Sequence, residues 1–279
     1  MKMLPLLVGL AVGVSALAAQ EPVRQVDTSP RAVLEAASGY LKTYREAMGF
    51  VLANEVTLQE VFDEMSRRTT RRETSGEFFL SYAPADGGWL SVRDITRVDG
   101  KEVEAGDDLR GLLTQGSMAK IGRAMADRNA RFNIGVVTRN FNDPMFAFVI
   151  LDDKNRSRFK FERQSVTTSG DDTLVTLSFA ERDRATIVRG MTGNDVPTRG
   201  ELTLDAATGR LVRSVIILKD GPTTAQLTTT FTFNESLEMW MPSVMQERYT
   251  HSSARTKQTV IAESKYTDYR KFAVTARIK

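Results

Sequence analysis

Strict alternation is the strongest constraint on how this chain can fold. From Leu227 to Phe233, one set of positions carries Leu227, Thr229, Phe231 and Phe233, and the other carries Thr228, Thr230 and Thr232. A period of two puts one set on a packed face and the other on a wet one, the habit of antiparallel sheets. The same period runs through Phe78, Leu80 and Tyr82, through Phe159 and Phe161, and through Val175, Leu177 and Phe179. Phe50 to Phe62 and Val244–Thr250 also read as strands. Arg210–Lys219 is apolar on both faces, which predicts a central, covered strand. Asp99-Gly100, Pro84 to Gly88 and the Asp205-Ala206-Ala207-Thr208-Gly209 loop supply turns. About eleven strands result.

Helical segments interrupt them. Ser29-Pro30 has the form of an N-cap and first helical residue, followed by Val33, Leu34, Ala37, Leu41, Tyr44 and Met48 at helical spacing and ended by Gly49. Asp107 or Asp108 can cap a short helix with Leu109, Leu112 and Leu113. Gly116-Ser117 resets the chain into a helix bearing Met118, Ile121 and Met125, and Asp143-Pro144 caps Met145 to Leu151. Apolar helices between strand runs need a sheet face to cover. The expected fold is α+β, mainly β: a single strongly curved antiparallel sheet, a half-barrel, with three to four helices on its concave side. No repeat or linker divides residues 29–279, which are expected to form one domain.

The N-terminus reads as a cleavable export signal over residues 1–18. Lys2 is its charged start, Leu4 to Leu17 its apolar stretch and Ala16-Leu17-Ala18 its cleavage site; residues 19–28 follow as a flexible leader. The expected compartment is the periplasm or beyond. The chain has no cysteine, which excludes a lipidation cysteine, disulfides and thiol chemistry. A net charge of +3 is too small to point to nucleic acid. No later segment approaches the apolar length of a membrane-spanning helix.

Catalytic chemistry finds little support. His251, the only histidine, sits in a polar turn, where one imidazole builds neither a zinc site nor a serine–histidine hydrolase. Glu55, Glu60, Asp63, Glu64 and Glu247 are candidate acid–base carboxylates, but Glu55 is expected to pair with an arginine. No glycine-rich phosphate loop is present. The sequence therefore offers no catalytic, cofactor-binding or metal residues. Arg67, Arg68, Arg71 and Arg72 form the densest charge cluster, read either as a solvated loop or as a contact for anionic headgroups or an acidic partner. Methionines suit adaptable apolar pockets; Met118, Ile121, Met125, Met145, Phe231, Phe233 and Met245 are the expected cavity lining.

The run Arg199–Arg213, with its D-x-x-T-G-R turn at Asp205–Arg210, is followed by Leu237–Tyr249 and Ala262–Phe272. In that order they resemble the later strands of the LolA/LolB/RseB-like superfamily of periplasmic lipoprotein carriers. Over nearly its whole length the chain also resembles a group of uncharacterised exported bacterial proteins, through its opening helix, the strand around Glu55 and the Pro144 helix. The first resemblance implies a half-barrel whose concave face, closed by helices, holds acyl chains. The leading expectation is a periplasmic binding protein for lipid or lipoprotein acyl chains, not an enzyme. The alternatives are a cell-envelope interaction protein with a filled core, and a carboxylate-dependent hydrolase.

Overall fold

Ser29 and Gly49 bound the first helix. The Ser29 Oγ accepts the Ala32 N–H at 3.3 Å, Pro30 opens helix α1 (Pro30–Met48), and Gly49 closes it at a φ of 53°. A stripe of Val33, Ala37, Leu41, Tyr44 and Met48 is buried. The structure, a computed structural model, describes residues 26–83, 88–103, 118–137, 139, 141–190 and 192–271. The export signal, most of the leader, the Pro84–Gly87 turn and the Leu109 helix lie outside the described residues.

After α1 come β1 (Phe50–Phe62), β2 (Arg68–Ala83), β3 (Gly88–Val98) and the two-residue β4 (Lys101–Glu102). Helices α2 (Met118–Ala130), α3 (Phe146–Leu151) and α4 (Asp153–Arg156) follow. Then come β5 (Phe159–Ser169), β6 (Asp172–Glu181), β7 (Arg199–Asp205), β8 (Leu211–Asp220), β9 (Thr223–Asn234), β10 (Met239–Ser252) and β11 (Lys257–Lys271). All eleven strands form one open sheet in the order β4-β3-β2-β1-β11-β10-β9-β8-β7-β6-β5. The first and last long strands, β1 and β11, pair antiparallel in its interior.

The sheet curls. Helix α1 touches β2 as well as β5 and β7, although β2 and β5 are eight strand spacings apart, about 38 Å of flat sheet. Nineteen helical residues span only about 28 Å, so the sheet must wrap the helix. Register shifts between Leu52 and Asn54, between Ser75 and Gly76, and between Pro242 and Val244 supply local bends. On the inner face α1 and α3 pack with Phe78, Val175, Leu177, Phe148 and Phe231 into one core.

Helix α2 departs from that inner layer. Its Ile121 and Met125 form a second cluster with Leu52, Phe79 and Val92, which alternate along their strands with the inward Val51, Phe78 and Leu80. The cause is the brevity of β4, which pairs only with Arg97 and Val98 and leaves most of β3 as an edge. Asn129 Nδ2 donates to the Arg93 carbonyl at 2.7 Å, so the helix covers that edge, a standard protection against stray pairing.

Two local expectations change. The arginine stretch is strand from Arg68 onward, because Glu60 and Arg71 face each other across β1 and β2 and opposite charges stabilise such a pair. Strand β8 is central, yet its Val212 and Ile217 are only half-buried.

Candidate binding site

Described residues of the stretch 131–145 pack on the inner face, where Ile134, Val137 and Met145 join its core. At its start Phe132 offers its carbonyl to Gln59 Nε2 at 3.3 Å and to Arg72 at 3.4 Å. At its end Asp143 Oδ1 accepts Ser91 Oγ at 2.6 Å and the Met145 N–H at 2.9 Å, which docks the segment on β3 and starts α3. Between these anchors Arg139 and Phe141 stand as a partition.

Buried ion pairs hold the partition. Arg139 is clamped by both carboxylate oxygens of Glu247, with Nε to Oε2 at 3.1 Å, and Glu247 also accepts the Tyr249 hydroxyl at 2.7 Å. Burial alone would push the Glu247 carboxyl up. The Arg139 guanidinium and the hydrogen bonds from Arg139 and Tyr249 outweigh it and hold the group below the usual glutamate range. A second pair joins Arg93 Nε to both oxygens of Glu55 at 2.9 Å, with Arg93 also donating to Asn142 and Tyr266 at 3.2 Å. Each buried charge is thus matched and hydrogen-bonded, the condition under which such charges persist. Asp143 differs: removal of its carboxyl from water pushes it up, against the pull of Ser91, Met145 and Arg93.

On one side of the partition lies a polar cavity of about 290 Å³, floored by Glu55, Thr57, Gln59 and Arg93 and walled by Asn129, Phe132, Asn142 and Asp143. On the other lies a groove of about 490 Å³ with a mixed polar and apolar lining. Leu218, Ala225 and Tyr249 of β8, β9 and β10 form its floor, Val137 and Phe141 one wall, and Ile187, Val188 and Val196 the other. Arg189 and His251 lie at its polar rim; His251 Nδ1 shares a hydrogen bond with Thr223 Oγ1 at 2.9 Å. The loop carrying Ile187 and Val188 is held by Asp195, which accepts the Thr186 N–H at 2.9 Å and pairs with Arg189.

The expected cavity lining is dispersed. Met145, Phe231 and Met245 fill the core beneath α1 and α3. Ile121 and Met125 belong to the edge cluster under α2. Phe233 is 53% exposed beside Trp240. Met118 begins α2, and its side chain lies outside the described residues. None of the other six lines either inner-face cavity. The groove-lining valines of loop 185–196 carry no periodicity, and β-branched residues in a loop were the only sign of them in the sequence.

Arg67, Arg68, Arg71 and Arg72 each have an acid beside them: Asp63 at 2.8 Å, Glu60 at 2.6 Å, Glu73 at 3.5 Å and Asp99 at 3.8 Å. Glu60, Asp63 and Glu64 serve as partners for surface cations, while Glu55 and Glu247 point inward, each against its own arginine. Among the described residues no group of three or more acids or histidines is placed to hold a metal ion, and no helix is long and apolar enough to cross a membrane.

No family model and no curated protein matches the chain. Among solved structures it is similar to an outer membrane lipoprotein-sorting protein domain from Vibrio parahaemolyticus, at 14% identity over 88% of this chain and 94% of that one, with a TM-score of 0.42. It is also similar to MucB in the MucA/MucB complex of Pseudomonas aeruginosa (12% identity, 85% and 99% covered, TM-score 0.20). A third is the S-type phycobiliprotein lyase CPES of Guillardia theta (8% identity, 86% and 97% covered, TM-score 0.27). Overlaps of this depth transfer neither a role nor a functional residue.

Proposed function

We propose that the chain is an exported, non-enzymatic binding protein that holds one acyl chain, or a comparable apolar moiety, in the groove between β8–β10 and loop 185–196. The observation that carries this reading is the groove itself. It is concave, it lies at the unfilled end of the inner face, and its volume of about 490 Å³ falls in the range of small-molecule sites. Val137, Phe141, Ile187, Val188, Val196 and Leu218 line it beside the polar Arg189, Asp220, Thr223 and His251. Burying ten methylenes there would yield about 8 kcal/mol before ordering costs, so the net holding is reversible and weaker than micromolar.

The test is binding of a fluorescent fatty acid to the purified protein. Val188→Asp, at a half-buried wall position, is expected to weaken binding about tenfold or more by placing a charge in the groove. Ala225→Trp, which fills the floor, is expected to abolish it. A second reading, an envelope interaction protein without a ligand, draws on the filled core under α1 and α3. It is favoured if the probe fails to bind the wild-type protein and a partner is captured from envelope extracts.

A further inference from the structure

We infer that the polar cavity on the other side of the partition is a separate binding site for a neutral, hydroxyl-rich molecule about the size of one sugar ring. Two amides whose oxygens are buried carry the inference. Gln59, 1% exposed, donates its Nε2 to the Phe132 carbonyl at 3.3 Å, and Asn129 donates its Nδ2 to the Arg93 carbonyl at 2.7 Å. A carbonyl oxygen only accepts, so both amide orientations are fixed. Gln59 Oε1 and Asn129 Oδ1 are then left buried without a partner, and both side chains line the cavity. Buried acceptors without donors are rare in folded proteins and call for an occupant that donates.

The surrounding charges narrow the occupant. Arg93 is closed by Glu55 and Arg139 by Glu247, and the third carboxyl, Asp143, is taken up by Ser91 Oγ and the Met145 N–H. An ammonium would meet two guanidiniums, an anion would meet three carboxyl groups and two amide oxygens, and a hydrocarbon would leave the amide oxygens unsatisfied. Hydroxyl groups supply the missing donors at no charge cost. Phe132, Phe141 and Ile95 on the walls provide apolar faces for the C–H side of a polyol ring. The volume, about 290 Å³, holds about ten waters, enough for one such ring.

The experiment titrates the folded protein with myo-inositol, glucose and glycerol, with ethanolamine and inorganic phosphate as charged controls, by calorimetry or ligand-observed NMR. At least one ring polyol is expected to bind in the millimolar range or tighter, and both controls more weakly. Gln59→Met is expected to weaken binding about fivefold, the worth of one hydrogen bond. Ala126→Phe, at an exposed α2 position that also lines the cavity, fills the space without touching the core and is expected to abolish binding. Thermal unfolding of Ala126→Phe and its fatty-acid binding should stay as in wild type, which separates this site from the groove. The inference is overturned if no polyol binds and the cavity holds water alone. It is equally overturned if a control binds as tightly, or if polyol affinity survives Ala126→Phe.

Discussion

Arg139 and Glu247 illustrate what a single buried pair decides. Truncation in Arg139→Met strands the Glu247 carboxylate, which is 1% exposed, and is expected to cost about 3–5 kcal/mol in urea unfolding at neutral pH. The double variant Arg139→Met/Glu247→Leu should recover most of that loss, because replacing both charges removes the desolvation penalty. With the wild-type Glu247 carboxyl held below its usual range, the pair's stabilisation is present above the ordinary glutamate pKa and is lost as pH falls through the depressed value. Asp143 has the opposite sign. Its raised pKa means that its contribution is present below the ordinary aspartate value and disappears as pH rises through the raised one. Asp143→Asn keeps an oxygen to accept Ser91 and Met145. Its unfolding midpoint should therefore gain on wild type between about pH 4 and neutrality; an unchanged difference across that range would count against a raised Asp143.

At the scale of elements, the D-x-x-T-G-R turn shows why a local signature is readable. Asp205 Oδ1 accepts the Thr208 N–H at 2.8 Å and the Thr208 hydroxyl at 2.6 Å. Gly209 takes a φ of +73°, and a Cβ there would lie 2.1 Å from the Ala36 carbonyl carbon in α1. Gly209→Ala is expected to destabilise by more than about 1 kcal/mol, since it meets both backbone strain and a backbone clash. Helix α2 depends on tertiary context instead. Met125→Ala should cost about 2–4 kcal/mol and speed amide exchange along Leu90–Ile95, the edge that α2 covers; unaltered exchange there would show that the helix does not protect β3. This contrast tracks what was legible in the sequence. The Ser29 cap, the Gly49 stop, the bounds of β1 and the Asp99-Gly100 turn depend on neighbours in sequence and were readable. The partners of Glu55 and Glu247, and the face chosen by Met125, depend on residues 38, 108 and tens of positions away. Alternation also cannot tell a filled face from a hollow one: Phe231 and Ala225 share the inward face of β9 and belong to one core, yet only Ala225 also floors the groove.

Across the whole molecule, the open sheet is wrapped around its own helices over most of the concave face, with a groove left beside Leu218, Ala225 and Tyr249 of β8–β10. Phe141, which lines both spaces, separates this groove from the polar cavity at Arg139. Cargo held in the groove would stabilise the folded chain by mass action, so a fatty acid should raise the thermal midpoint of wild type and leave that of Ala225→Trp unmoved. The most direct measurement is photo-crosslinking of the purified protein with a diazirine-bearing palmitate, with the labelled residues mapped by mass spectrometry. Labels on Val137, Ile187, Val188 or Leu218, lost in Ala225→Trp, are the expected result. Labels concentrated on Phe233 and Trp240 or on α2, or none above background, would contradict acyl binding in the groove.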